Sequence, residues 1–193
     1  MSGGDGTPSL PDAELADRGW ERVESRSETV ADLGPVEVSI ATAVYEDGSL
    51  RERVRAAAGV DRTWRFFVAG RVDVPGPSGA PALRRLVTDR AASGFADRLA
   101  DRGFEDVREA ERRRLRVGDA EARAVRYEAT CRVEGFVLAV EGWVAVWPGD
   151  DGFRLAGGAY PRSVREGPAD ALGDLFEPER FRAELFELIR TVG

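Results

Sequence analysis

Glu128 and Glu141 are the residues with the most chemistry to offer. Folding the chain about Glu134-Gly135 as a two-residue hairpin sets Val133 opposite Phe136 and fixes the register behind it. Glu128 then faces Glu141, and on the same face Arg126 lies opposite Trp143 and Arg132 opposite Val137. Two carboxylates in direct opposition repel, which raises one pKa, and a raised carboxyl can act as a general acid. A neighbouring arginine and tryptophan would make the pair part of a ligand cleft, with Arg126, Trp143 and Trp147 as binding residues. The competing reading has Arg126 and Arg132 neutralising both glutamates on a wet or helix-covered face, since perturbed pairs are often structural.

Other candidates are thinner. Ser78, Arg84 and Arg85, with the first N–H groups of a helix opening at Pro81, could hold a phosphate or carboxylate. The plainer alternative pairs Arg85 with Asp89, four residues on. Asp150 and Asp151 fall well short of a calcium loop, and no metal site is expected. Cys131 faces the core in the hairpin register, opposite Leu138, and reads as a small buried hydrophobe. Trp143 and Trp147 share a sheet face, either covered by a helix or, uncovered, marking a binding surface.

Absences decide more than these presences. The chain contains no histidine, lysine, asparagine or glutamine. Without histidine there is no Ser-His-Asp or Cys-His arrangement and no HExxH metal site. Without lysine there is no P-loop and no Schiff base. One cysteine makes neither a disulfide framework nor a thiolate metal cluster. No cofactor is implied, and the balance leans away from an enzyme.

These side chains need elements to hold them. Residues 1–11 read as a disordered tail and 12–193 as a single α+β domain. A short helix is expected from Asp12 to Arg18, then two strands separated by Gly34-Pro35. A helix follows, capped by Asp47 or Ser49 and ended by Gly59. After a strand through Trp64, Phe66 and Phe67, a long helix runs from Pro81 to about Arg102. Its apolar set is Leu83, Leu86, Val87, Phe95 and Leu99, and Gly94 reads as a point of close packing. Four strands should follow, at 111–117, 121–133, 136–147 and 153–160. A last helix opens at Pro178 with Phe181, Leu185, Leu188, Ile189 and Val192 along one stripe. Consecutive strands with tight turns imply an antiparallel sheet of about seven strands, with the long central helix and the C-terminal helix packed on it.

All 28 basic residues are arginine, and the net charge is −7. Losing lysine, asparagine and most isoleucine together points to a GC-rich genome. Adding the acidity makes the chain resemble cytoplasmic proteins of salt-loving archaea, where an acidic surface keeps proteins soluble. At ~1 M salt the Debye length is ~3 Å, so charge steering fails beyond contact. The segment Glu111 to Val133 carries seven arginines, yet acids interleave with them at a period of two, as in a paired sheet. Arg113 breaks that alternation and reads as part of the approach from the long helix. Nucleic acid is therefore not an expected partner. No apolar run reaches the ~18 residues of a membrane span, and the start of the chain has no signal-peptide pattern. The expectation is a soluble, cytoplasmic protein.

The element order, with a long central helix, a four-strand meander, a Gly157-Gly158-Ala159-Tyr160-Pro161 exit and a closing helix, resembles the PsbP-like α/β/α sandwich over residues 20–192. That family includes an extrinsic subunit of the photosystem II oxygen-evolving complex. The resemblance implies a binding or assembly role more than catalysis and supplies no site residues. The function expected is a non-catalytic module that binds a protein or small molecule. A carboxylate-dependent enzyme or binder using Glu128 and Glu141 is the alternative.

Overall fold

The structure is a computed structural model describing residues 12–32, 37–74, 80–150 and 152–192. The expected N-terminal tail, Ser78 and Asp151 lie outside the described residues. A short helix α1 (Asp12–Asp17) leads into β1 (Trp20–Asp32) and β2 (Glu37–Asp47). Helix α2 (Gly48–Ala58) begins where Asp47 accepts the Leu50 N–H at 2.9 Å, so Asp47 is the cap. It ends at Gly59, whose φ of 74° closes the last turn. After β3 (Phe66–Asp73), helix α3 (Pro81–Asp101) carries the chain to β4 (Phe104–Val117). Strands β5 (Ala120–Val133), β6 (Phe136–Gly149) and β7 (Gly152–Glu166) follow as a meander. A short α4 (Ala169–Leu172), a 3₁₀ turn and α5 (Pro178–Thr191) complete the described chain.

The seven strands form one sheet in the order β1-β2-β3-β7-β6-β5-β4, antiparallel at every junction. Helix α3 makes this possible. It crosses a face from the end of β3 to the far edge, and the second meander then walks back until β7 pairs with β3. Adjacent β6 residues show the layering. Gly142 faces α3, where an added Cβ would lie 3.2 Å from the Phe95 ring and 3.4 Å from Leu99. Trp143, pointing the other way, meets Phe186 of α5 with ring centroids 5.1 Å apart. The sheet is therefore sandwiched, α3 on one face and α5 on the other. This is the α+β architecture that the pattern of elements predicted.

Several details differ from expectation. Leu86 is 55 % exposed, and the buried stripe of α3 is Thr88, Ala92, Phe95 and Leu99. Small residues bring the helix close, so the Tyr127 hydroxyl reaches the Ala92 carbonyl at 2.8 Å. The close approach falls at Gly142 rather than Gly94, where an added Cβ meets nothing within 4 Å. Strand β4 begins at Phe104, well before 111, because bulges after Glu105 and Glu109 let a charged segment keep pairing. Strand β7 does not exit at Tyr160-Pro161 but continues to Glu166. The proline is tolerated at an irregularity, with Val140 opposite Pro161 and Ala139 opposite Ser163. Arg162 is the extra residue there. The α5 stripe is buried as its spacing required.

Candidate functional site

Strands β5 and β6 pair in the register set by the Glu134-Gly135 hairpin, with Glu128 opposite Glu141 and Arg126 opposite Trp143. Arg126 Nη1 donates to Glu128 Oε1 at 2.9 Å and to Glu141 Oε2 at 3.5 Å. Arg108 holds the other oxygen of Glu128, and Arg126 Nε reaches Glu111 at 3.3 Å. Glu141 is 4 % exposed. Its Oε1 accepts the Trp143 indole N–H at 2.8 Å and the Tyr160 hydroxyl. Arg162, displaced by the β7 irregularity, brings Nη1 to 3.7 Å from Oε2.

This network overturns the expected raised carboxyl. Burial pushes the Glu141 pKa up, but the Tyr160 and Trp143 donors and the charges of Arg162 and Arg182 outweigh it, leaving it below the ordinary value. Burial and the same carboxylate push the Tyr160 phenol up. The pair therefore rests as carboxylate and neutral phenol. Glu141 holds no proton to give near neutral pH, and its oxygens are engaged by donors. The geometry suits a polar clamp between β5, β6 and β7 better than a general acid.

Trp143 and Trp147, read as a binding surface if uncovered, are 0 % and 4 % exposed. Phe186 of α5 stacks edge-on to Trp143, and the Arg113 guanidinium lies 4.3 Å from the Trp143 ring centroid and 4.7 Å from that of Phe186. Arg113 thus belongs to the inward face of β4 with Leu115 and Val117, not to the approach from α3. Stacking on aromatic rings lets a guanidinium replace an apolar side chain there. The period-two pattern held, but with an arginine on the buried side.

The remaining candidates stay apart. Arg85 is exposed and faces Asp89 at 3.9 Å, as its i,i+4 spacing suggested. Arg84 is half-buried, and α3 has no side-chain cap. Among the described residues no group of three or more acidic, cysteine or histidine side chains could hold a metal. Burial, its largest cause, raises the Cys131 thiol pKa, so it is a core residue and not a nucleophile. The arginine strip is laced to acids: Arg112 to Glu109 and Asp89 at 2.6 Å each, Arg114 to Glu121 at 3.7 Å, Arg132 to Glu105 at 2.9 Å. No helix among the described residues is long and apolar enough to cross a membrane.

A second buried ion cluster escaped the sequence reading. Arg65 donates to Asp47 at 3.0 Å, Glu184 at 2.7 Å and the Phe181 carbonyl at 3.4 Å. It also lies 4.7 Å from the Trp20 ring and 4.5 Å from the Phe181 ring. One guanidinium, just before β3, thereby joins β1, β2 and α5. A charge inside the run Trp64-Arg65-Phe66-Phe67 was the available signal. Two clefts were also invisible. One of about 420 Å³ runs between α5 and β4, lined by Arg113, Arg182, Phe186 and Arg190 among others. The other, of about 350 Å³, opens beyond the C-terminal end of α3, between Arg62, Phe66, Arg102 and Phe104. Neither is lined by Glu128 or Glu141.

No curated protein and no solved structure matches the chain. The family described as a domain of unknown function (DUF6517) matches residues 7–193, and the chain belongs to it.

Proposed function

We propose that the protein is a non-catalytic binding module of PsbP-like architecture, working in the salt-rich cytoplasm of a halophile. The observation that carries this reading is the state of Glu141. The best-placed carboxylate of the chain is ionised, engaged by donors and buried under α5, and it lines neither cleft. With histidine and lysine absent, few other groups can shuttle protons near neutral pH. A small ligand suits the surface better than a docked protein. Val23 and Leu86 are the large exposed hydrophobics among the described residues, and they lie on separate elements, β1 and α3. The order of strands and the two covering helices support the PsbP-like reading. Arginine-only basicity with a net charge of −7 supports the halophilic one.

The test is purification of the intact chain in molar KCl, followed by native mass spectrometry and extraction of what it carries. A stoichiometric small molecule, released unaltered, is the expected result. Conversion of that molecule by the wild type, lost in Glu141→Gln, overturns the reading.

A further inference from the structure

We propose that the cleft beyond the C-terminal end of α3 binds a small organic anion, a carboxylate carried on an apolar body. The proposal rests on the reading of the protein as a binding module and gives that reading a site and a ligand class. Helix α3 stops at Arg102, and Gly103, with φ 83°, turns the chain sharply into β4. That turn brings Phe104 into the lining with Phe66, Val60 and Val133. Just past Phe104 the strand bulges between Glu105 and Arg108, and Asp106 takes a left-handed φ of 53°. Glu134, which lines the cleft, has φ 44° in the tight turn that joins β5 to β6. Asp106 and Glu134 are the non-glycine residues with positive φ among those described, and Asp106 follows two residues after the lining residue Phe104.

Part of the charged lining is already engaged. Asp61 is tied to Arg51 at 2.5 Å. Arg102 packs 4.7 Å from the centre of the Phe66 ring and faces Glu46 at 3.6 Å. Arg62 has no carboxylate within ion-pairing distance among the described residues, and its guanidinium lies 5.9 Å from the Trp64 ring. Its charge also reaches the buried Cys131 thiol, the cross-strand neighbour of Phe104. A half-buried guanidinium without an anion, above a floor of rings and branched side chains, is complementary to an acid group with an apolar tail. The volume of about 350 Å³ lies at the small end of ligand pockets.

The α5–β4 cleft is the weaker place. Its apolar lining is Ala183 and Phe186, so it offers mainly charge. In molar salt that attraction acts over ~3 Å and chloride competes for it. Burial of an apolar body against Phe66 and Phe104 is not screened by salt.

The experiment is calorimetric titration of the full chain in molar KCl with octanoate and with its neutral analogue octanamide. Octanoate is expected to bind at one site, about tenfold more tightly than octanamide, the worth of one charge-assisted hydrogen bond. Arg62→Leu should remove that preference while leaving octanamide binding unchanged. Val133→Trp, which fills the rim, should weaken both ligands. Arg190→Leu, in the other cleft, should change neither, and thermal melts check that each variant folds. Equal binding of the two ligands by the wild type, binding of neither, or a preference for octanoate that survives Arg62→Leu overturns the proposal. A natural ligand that still co-purifies with Arg62→Leu sinks this site while leaving the binding-module reading intact.

Discussion

Replacing Glu141 by glutamine keeps the shape of the side chain but removes the counter-charge of Arg126 and Arg162 from a buried position. The expected loss is about 3 kcal/mol of unfolding free energy at neutral pH, typical of breaking a buried ion pair from one side. Denaturant titration measures it. The difference should depend on acidity in a defined direction. The folded pKa of Glu141 lies below its unfolded value, so its stabilisation is complete above the ordinary ~4.3 and fades as pH falls through the folded pKa. The gap between wild type and Glu141→Gln should therefore narrow below about pH 4, and a constant gap would refute the ion-pair account. Glu134 offers a test of opposite sign. It occupies a φ of 44° before Gly135, a turn geometry that favours Asn-Gly, in a chain without asparagine. Glu134→Asn should raise stability by about 1 kcal/mol, seen as a higher denaturation midpoint.

At the scale of elements, the hairpin was readable because its turn is tight and strand periodicity is two. Once Val133 faced Phe136, the neighbours from Arg126 to Trp143 followed, and the Glu128–Glu141 pair with them. The long helix was readable as a helix but not as a surface. Its contact stripe uses Thr88 and Ala92, which the expected set of large apolar residues leaves out, and leaves Leu86 in water. The reason lies across the layer: Gly142 leaves room for Phe95 and Leu99, and the Ala92 carbonyl takes the Tyr127 hydroxyl from the sheet. Gly94 has no such duty. Gly94→Ala should stabilise α3 by about 0.5–1 kcal/mol, because alanine gives up less backbone freedom and meets open space. A lower melting temperature for this variant would mean that the helix packs more tightly there than its geometry implies. Gly142→Ala, by contrast, should destabilise, since its Cβ would press on the Phe95 ring.

For the whole molecule, an excess of 35 acidic over 28 basic residues means self-repulsion that salt relieves. The unfolding midpoint should rise as KCl goes from millimolar to molar. A midpoint that is flat or falls removes the halophilic reading and leaves the binding proposal standing. By itself the sequence determined what is local or compositional. Helices and strands followed from periodicity, caps and turns from Asp47, Gly59 and Glu134-Gly135, and the excluded chemistries from missing residue types. It also determined that Glu128 and Glu141 meet. Only the tertiary structure decided what their meeting does. Tyr160 and Arg162 come from β7, and Arg182 and Phe186 from α5, all distant in sequence. Their donors and charges turn an expected repulsion into a lowered pKa. Arg65, Arg113 and the α3-end cleft obey the same rule, because a buried charge or a concavity is defined by partners from several elements. Nothing in a local window specifies which side of the sheet those partners will cover.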